Sequence, residues 1–426
     1  MRIAIENGTV IDPANNIEKP LNVYLERHTI VATGKVPDGF QPQKTINAKG
    51  KLVCPGLIDI CAHSREPGQK HKATIASETR AAASAGITTL CQPPDTDPVI
   101  DTPAVAELIR QQAEHAGFAS IHPVGALTQQ LAGEQLSEMA ALKEAGCVAV
   151  AHVYPMKNLQ VLRRAMEYAA TFGLTVFLTP QEYNLSANGC AHEGTIATRL
   201  GLPGIPAAAE TTALARDIAL IEQIGVRAHF LNLSTSRAVQ MIGRARYDRH
   251  QISCNVSAHQ LHLTEMDIAS FDANCHLTPP LRTQRDREGL REGISKGIID
   301  CISSDHQPHE ADAKNRPFCA TAPGISGLET LLPLTLKLVD DGILSIKNAI
   351  ARLTTGPANI LGLEAGTLSV GSKADICIID PDTEWQLDAS QMLSQGHNTP
   401  FNDWNFKGQV THTLHHGRVV FERHSS

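Results

Sequence analysis

Long apolar runs, paired-cysteine motifs and an excess of positive charge are all missing from this 426-residue chain, and each absence argues against a class of function. No stretch approaches the roughly 18 consecutive apolar residues of a membrane-spanning helix. The opening Met1-Arg2-Ile3-Ala4-Ile5-Glu6-Asn7-Gly8 has no apolar centre of the kind a secretion signal needs. A formal net charge of -7 disfavours nucleic acid and anionic membrane as partners. The ten cysteines are dispersed, with no Cys-x-x-Cys and no small-scaffold spacing, which predicts reduced, mostly buried thiols in a cytoplasmic protein. Neither an internal repeat nor a low-complexity tract is present.

What is present is a soluble globular balance, 42% hydrophobic and 19% charged, with ample material for a large core. The first 50 or so residues read as short strands and turns: Ile3 to Ile5, a turn at Asn7-Gly8, Val10-Ile11, Val23 to Leu25 and Thr29 to Val31. From about Leu52 the rhythm changes. Strand-like runs such as Ile87 to Leu90, Val148 to Val150, Thr175 to Leu178 and Ile298 to Ile302 alternate with helical stretches such as Pro103 to His115 and Asn158 to Thr171. Repeated βα units imply a parallel sheet, and this many predict an α/β fold of the (β/α)8 TIM-barrel type. Short strands return after Thr355-Gly356-Pro357-Ala358-Asn359, at Asp375 to Asp380, Val410 to Leu414 and Val419-Val420.

Several motifs fall in order along this frame. Asp59-Ile60-Cys61-Ala62-His63-Ser64-Arg65-Glu66-Pro67-Gly68 comes first, then Pro94-Asp95-Thr96-Asp97-Pro98. His192-Glu193-Gly194, the run Leu200 to Pro206, and Glu210 follow. The last are Pro279-Pro280-Leu281-Arg282 with Asp286, Ser304-Asp305-His306-Gln307-Pro308-His309, and Gly324 to Thr330. Together they resemble the motif set of the dihydroorotases, members of the amidohydrolase superfamily, over nearly the whole chain. The resemblance implies a metallo-dependent-hydrolase barrel at 53–362. It also implies a small β-sandwich built from both chain ends, 1–52 and 363–426.

Active members of that family hold two zinc ions with six side chains at the C-terminal ends of barrel strands. These are a His-x-His pair after strand one, a bridging carboxylate after strand four, one His each after strands five and six, and an Asp after strand eight. The metals lower the pKa of a bridging water from 15.7 to about 7, and the Asp shuttles its proton. Carried across, the first His of the pair is Cys61 and only His63 remains. The bridging carboxylate is absent from Ala149 to Tyr154, where His152 or Val153 stands in its place. The strand-five segment is Thr179-Pro180-Gln181-Glu182 and the strand-six segment Asn232-Leu233-Ser234-Thr235. Thr and Asn are poor zinc ligands. The family's substrate clamp, an Arg and an Asn, has become Arg65 and Asp95, and Asp95 would oppose an incoming carboxylate. A further Asn of the family is Thr278.

The resemblance therefore implies no dinuclear zinc centre, no catalytic residue beyond a vestigial Asp305, and no substrate site beyond a vestigial Arg65, Asp95 and His309. Read without the family, His63 and Asp305 are satisfied strand-end residues, Cys61 a small buried hydrophobe and Arg65 a partner of Glu66 or of a neighbouring strand end. His306 and His309 order a loop. The alternative is a single zinc on Cys61, His63, His152 and Asp305, all zinc-capable types. Two functions follow. One is the role of the family's degenerate members, a non-catalytic chain that assembles with aspartate transcarbamoylase in pyrimidine synthesis as a large hetero-oligomer. The other is a divergent cyclic amidohydrolase using one zinc and Asp305 as base.

Overall fold

The computed structural model describes residues 1–423. Eight parallel strands form one sheet in the order of the chain: Leu57–Asp59, Ile87–Gln92, Ser120–Ala126, Ala149–His152, Thr175–Leu178, Ala228–Phe230, Ile252–Ser257 and Cys301–Ser303. The first and last meet through the parallel bridge of Ala62 with His306, and the His63 amide donates to the His306 carbonyl at 2.9 Å. The sheet is thereby closed into a (β/α)8 barrel. Helices such as Ile75–Ser84, Pro103–Ala116, Leu159–Thr171, Ala207–Ile224, Ser236–Tyr247 and Gln284–Ser295 lie between successive strands. Side chains fix where they start: Thr74, Asn158, Thr235 and Thr283 each accept a backbone N–H of the following first turn.

The interior is filled by inward-facing residues including Ile58, Ile60, Cys91, Val124, Ala149, Ala151, Phe177 and Leu231. A second, larger apolar layer lies between strands and helices. This is a packed core rather than a pore.

Both chain ends build the β-sandwich. One sheet has four strands, ordered Thr29–Thr33, Val23–Glu26, Arg2–Glu6 and Lys44–Asn47. The other has six, ordered Arg418–Glu422, Asn405–His415, Ile376–Gln386, Leu52–Pro55, Thr9–Asp12 and Ile17–Pro20. Ile3, Ile5, Val10, Val23, Val53, Ile376, Ile378 and Leu414 form the core between them. Leu52–Pro55 pairs with Ile376–Ile379, so the sandwich runs three residues past 52 before the chain enters the barrel.

Two cysteines depart from the expected all-reduced pattern. Cys190 and Cys319 form a disulfide with their Cα atoms 5.4 Å apart. They are separated by 129 residues, so nothing in local spacing reveals the pair. The other eight are free and buried. No helix among the described residues is long and apolar enough to cross a membrane.

Candidate functional site

Barrel geometry gathers the candidate residues at the C-terminal strand ends, where sites of this fold are built. Cys61 and His63 follow strand one, His152 ends strand four, Thr179 follows strand five, Asn232 strand six and Asp305 strand eight. Each of these residues lies at or just past the C-terminal end of its strand. No carboxylate stands between Ala149 and Tyr154.

The surviving ligand types are engaged with one another instead of converging on a common point. Cys61 Sγ donates to Asp305 Oδ1 at 3.7 Å. The Cys61 thiol is pushed far above its ordinary range, first by burial and then by the Asp305, Asp59 and Asp95 carboxylates. His63 Nε2 lies 3.1 Å from Asp95 Oδ1, and its Nδ1 lies 3.1 Å from the His306 carbonyl. Both ring nitrogens thus face oxygens that only accept. His152 is buried, its Nδ1 has no hydrogen-bond partner, and burial lowers its pKa to about 4. Among the described residues, no three of Cys61, His63, His152 and Asp305 bring ligand atoms within 4.8 Å of one another. The donor set does not fit a dinuclear centre, and as arranged it does not fit the four-residue zinc site.

Asp95 lies against His63. Burial alone would raise its pKa, yet His63 and then Arg65 hold it below the ordinary carboxylate range. Its carboxylate occupies His63 Nε2 and sets a negative charge near Arg65. Arg65, in a left-handed conformation at φ 59°, donates Nε to the Pro308 carbonyl at 3.2 Å. It does not pair with Glu66, which instead accepts the Ile75 amide at 2.8 Å and binds Lys70 at 2.7 Å. Glu66 thereby ties the motif to the start of helix Ile75–Ser84. His309 Nε2 faces the Pro323 carbonyl at 3.0 Å and must donate there, so its 3.2 Å approach to Arg65 is a packing contact. Thr278 is exposed and precedes the Pro279-Pro280 turn.

Asn232 replaces an imidazole with an amide built into the barrel wall. Its Oδ1 accepts from Asn255 Nδ2 at 2.8 Å and Ser303 Oγ at 3.2 Å, and its amide group hydrogen-bonds Asp305. The network continues to His229, whose Nε2 meets Asn255 Oδ1 at 3.1 Å and whose Nδ1 meets Ser253 Oγ at 2.8 Å. Sequence reasoning missed this layer. Its signal was the alternation Ser253, Asn255, Ser257 on strand seven, one polar face on an otherwise apolar strand. Asp305 itself is pushed up to about 6 by burial, with His63 and hydrogen bonds from Gln307, Asn232 and Cys61 pulling the other way.

The motif residues that remain hold the fold. Asp59 accepts the Ser304 amide at 3.1 Å, the Ser304 hydroxyl, and the Cys61 amide at 3.3 Å, and so ties strand one to strand eight. Burial pushes its pKa up to about 6 against those bonds. Glu210 accepts the Ser234 amide at 3.0 Å, the Ser234 hydroxyl and the Thr235 amide at 3.3 Å. Arg282, buried beside it, reaches Ser234 Oγ at 3.1 Å, His192 Nδ1 at 3.0 Å and the Ile205 carbonyl at 2.6 Å. Asp286 accepts the Ser236 amide at 3.0 Å. A Cβ on Gly68, at φ +99°, would stand 2.4 Å from the Asp97 carbonyl oxygen.

The fold and this strand-end constellation are those of an amidohydrolase-type barrel. Residues 50–237 match the dihydro-orotase-like family and residues 290–421 the amidohydrolase family. The chain is 48% identical over 423 residues to a "Dihydroorotase-like protein" of Pseudomonas aeruginosa, covering 99% of this chain and 100% of the relative. It is 43% identical over 422 residues to a "Dihydroorotase" of Syntrophotalea carbinolica, covering 99% of each. The chain belongs to the dihydroorotase-like family. In three dimensions it superposes on an L-hydantoinase (dihydropyrimidinase) from Arthrobacter aurescens with a TM-score of 0.89, covering 99% of this chain and 96% of the other at 24% identity, which shows the shared fold.

Proposed function

We propose that this chain is a non-catalytic dihydroorotase homologue, a pseudoenzyme, whose role is to assemble with and support aspartate transcarbamoylase in pyrimidine synthesis. One observation carries the reading: the family positions that hold the barrel together are intact and bonded, whereas those whose job is chemical are replaced or self-neutralised. Asp59, Glu66, Glu210, Arg282 and His306 each satisfy buried backbone or side-chain groups. Cys61, Asp95, Thr179 and Asn232 stand where metal or substrate would be held. Selection for a fold and a surface, without selection for turnover, leaves that division. The assembly partner comes from the resemblance to degenerate family members.

A second reading, a one-zinc cyclic amidohydrolase with Asp305 as base, has one observation in its favour. Asp305 is held up near 6, close to the range of a general base at neutral pH. The engagement of His63 with Asp95 and of Cys61 with Asp305 weighs against it.

The test is co-expression with the transcarbamoylase catalytic chain of the same organism. The expected outcome is a co-purifying species far larger than 45.8 kDa. The partner without this chain should be smaller or inactive, and Asp305→Ala should leave its activity unchanged. A transcarbamoylase fully assembled and active alone, and unaffected by this chain, overturns the assembly role.

A further inference from the structure

Away from the barrel mouth lies one cluster of metal-capable side chains. Asp375, His415 and His416 place one ligand atom each within 4.8 Å of one another, alone among the described residues in doing so. They sit where the sandwich meets the barrel. Asp375 immediately precedes strand Ile376–Gln386, and His415 ends strand Asn405–His415.

Two adjacent residues of an extended strand point to opposite faces and cannot share a metal. Here the backbone solves that problem. His416 adopts φ 47°, which swings its ring back over that of His415, centroid to centroid 4.0 Å with planes 26° apart. The turn is held by the His416 amide donating to Asp375 Oδ1 at 2.6 Å and the Gly417 amide to the Ala374 carbonyl at 2.9 Å. His28 donates Nδ1–H to the His416 carbonyl at 2.8 Å.

The inner histidine is arranged as a ligand. His415 is 7% exposed, its Nε2 reaches Ser120 Oγ of barrel strand three at 3.4 Å, and its Nδ1 lies 3.2 Å from Asp375 Oδ1. That Nδ1 contact lacks hydrogen-bond geometry, which leaves the atom buried and without a partner. A ring nitrogen fixed by an outer hydroxyl, with the other nitrogen and a carboxylate oxygen facing the same space, is the pattern of a ligated histidine with its supporting hydrogen bond. Two imidazoles and one carboxylate suit zinc and its neighbours in the transition series, and water can complete a tetrahedron. Lys373 lies close enough to act on His416, and the Asp375 carboxylate offsets it.

We propose that Asp375, His415 and His416 form a structural binding site for one zinc-class divalent cation, which ties the start of strand Ile376–Gln386 to the end of strand Asn405–His415. The site is independent of the barrel mouth, and its metal takes no part in hydrolysis.

The experiment uses the full chain, stripped with chelator and titrated with zinc alone, read by calorimetry and thermal unfolding. Expected are one zinc per chain and a melting temperature raised by several degrees. In His415→Gln and in His416→Gln, with circular dichroism unchanged, both effects should be lost. In a Cys61→Ala/Asp305→Ala double variant both should persist. Absence of saturable zinc binding by the wild type, or binding that survives the two His→Gln changes, overturns the proposal. Binding lost only in the double variant also overturns it, and places zinc at the barrel mouth against the pseudoenzyme reading.

Discussion

Removing the buried carboxylate of Glu78 should unfold the barrel's closure, and the size of the effect can be worked from its partners. Glu78 lies in helix Ile75–Ser84 and is 1% exposed. It accepts His306 Nε2 at 2.7 Å, Ser394 Oγ at 2.7 Å and the Gln395 amide at 3.1 Å. His306 Nδ1 accepts the Gly327 amide at 3.1 Å, so the proton of that ring is on Nε2. The pair is therefore a neutral imidazole donating to a carboxylate. The pKa directions agree: burial would raise Glu78, but His306 and Ser394 bring it below its ordinary value, and burial lowers His306. Glu78→Ala strands two buried donors, His306 Nε2 and Ser394 Oγ, each costing ~1–3 kcal/mol, while the Ser77 hydroxyl and Gln395 amide lie nearer solvent. We expect a loss of roughly 4 kcal/mol, two stranded buried donors at about 2 kcal/mol each. Urea unfolding followed by circular dichroism reads it, with Glu78→Gln losing less than Glu78→Ala because an amide oxygen still accepts. A loss under about 1 kcal/mol for Glu78→Ala, or equal losses for the two variants, refutes the claim that His306 survives for the fold.

Stability should fall as pH drops below about 6.5, before most carboxylates titrate. Burial lowers His229, His259, His262 and His309 to about 3 and His122, His152 and His276 to about 4. Their folded values lie below the unfolded one, so the stability they contribute is complete above the unfolded pKa and lost as pH falls towards the folded values. Asp59 and Asp305, raised to about 6, and Glu329, raised to about 7, act oppositely between about pH 4 and their folded values, but the histidines outnumber them. A melting temperature unchanged from pH 7 to 5 contradicts this assignment. Asp95→Asn should remove the negative charge beside His63 and Arg65 and so favour an external dicarboxylate there. A charge-assisted bond of ~1.5–3 kcal/mol corresponds to at least a tenfold gain in succinate affinity by calorimetry. Equal affinity for variant and wild type means that Asp95 does not neutralise the site.

Much of this was legible in the chain because the deciding signals are local. Strand–helix alternation sets the barrel, β-rich ends set the sandwich, and the motif spacing puts Cys61, His152, Thr179, Asn232 and Asp305 at strand ends. The pairings were not legible, since each joins segments far apart in sequence. His63 with Asp95, Glu78 with His306 and Ser394, and Cys190 with Cys319 depend on how strands close and loops fold over them. Of the two partners expected for Arg65, Glu66 or a neighbouring strand end, the second is found, for a local reason. The left-handed turn at Arg65 sends its side chain towards Pro308 while Glu66 turns to the helix start at Ile75. The His415–His416 arrangement was likewise hidden, because strand periodicity places neighbouring side chains apart and only the positive φ of His416 reverses that.

The central claim is that the barrel mouth carries out no hydrolysis. Its most direct test is steady-state turnover of dihydroorotate and carbamoyl aspartate by the purified chain in excess zinc. We expect no rate above the protein-free background, because Cys61 is engaged by Asp305 and His63 by Asp95. Zinc-dependent turnover that disappears in Asp305→Ala while the variant stays folded would contradict it.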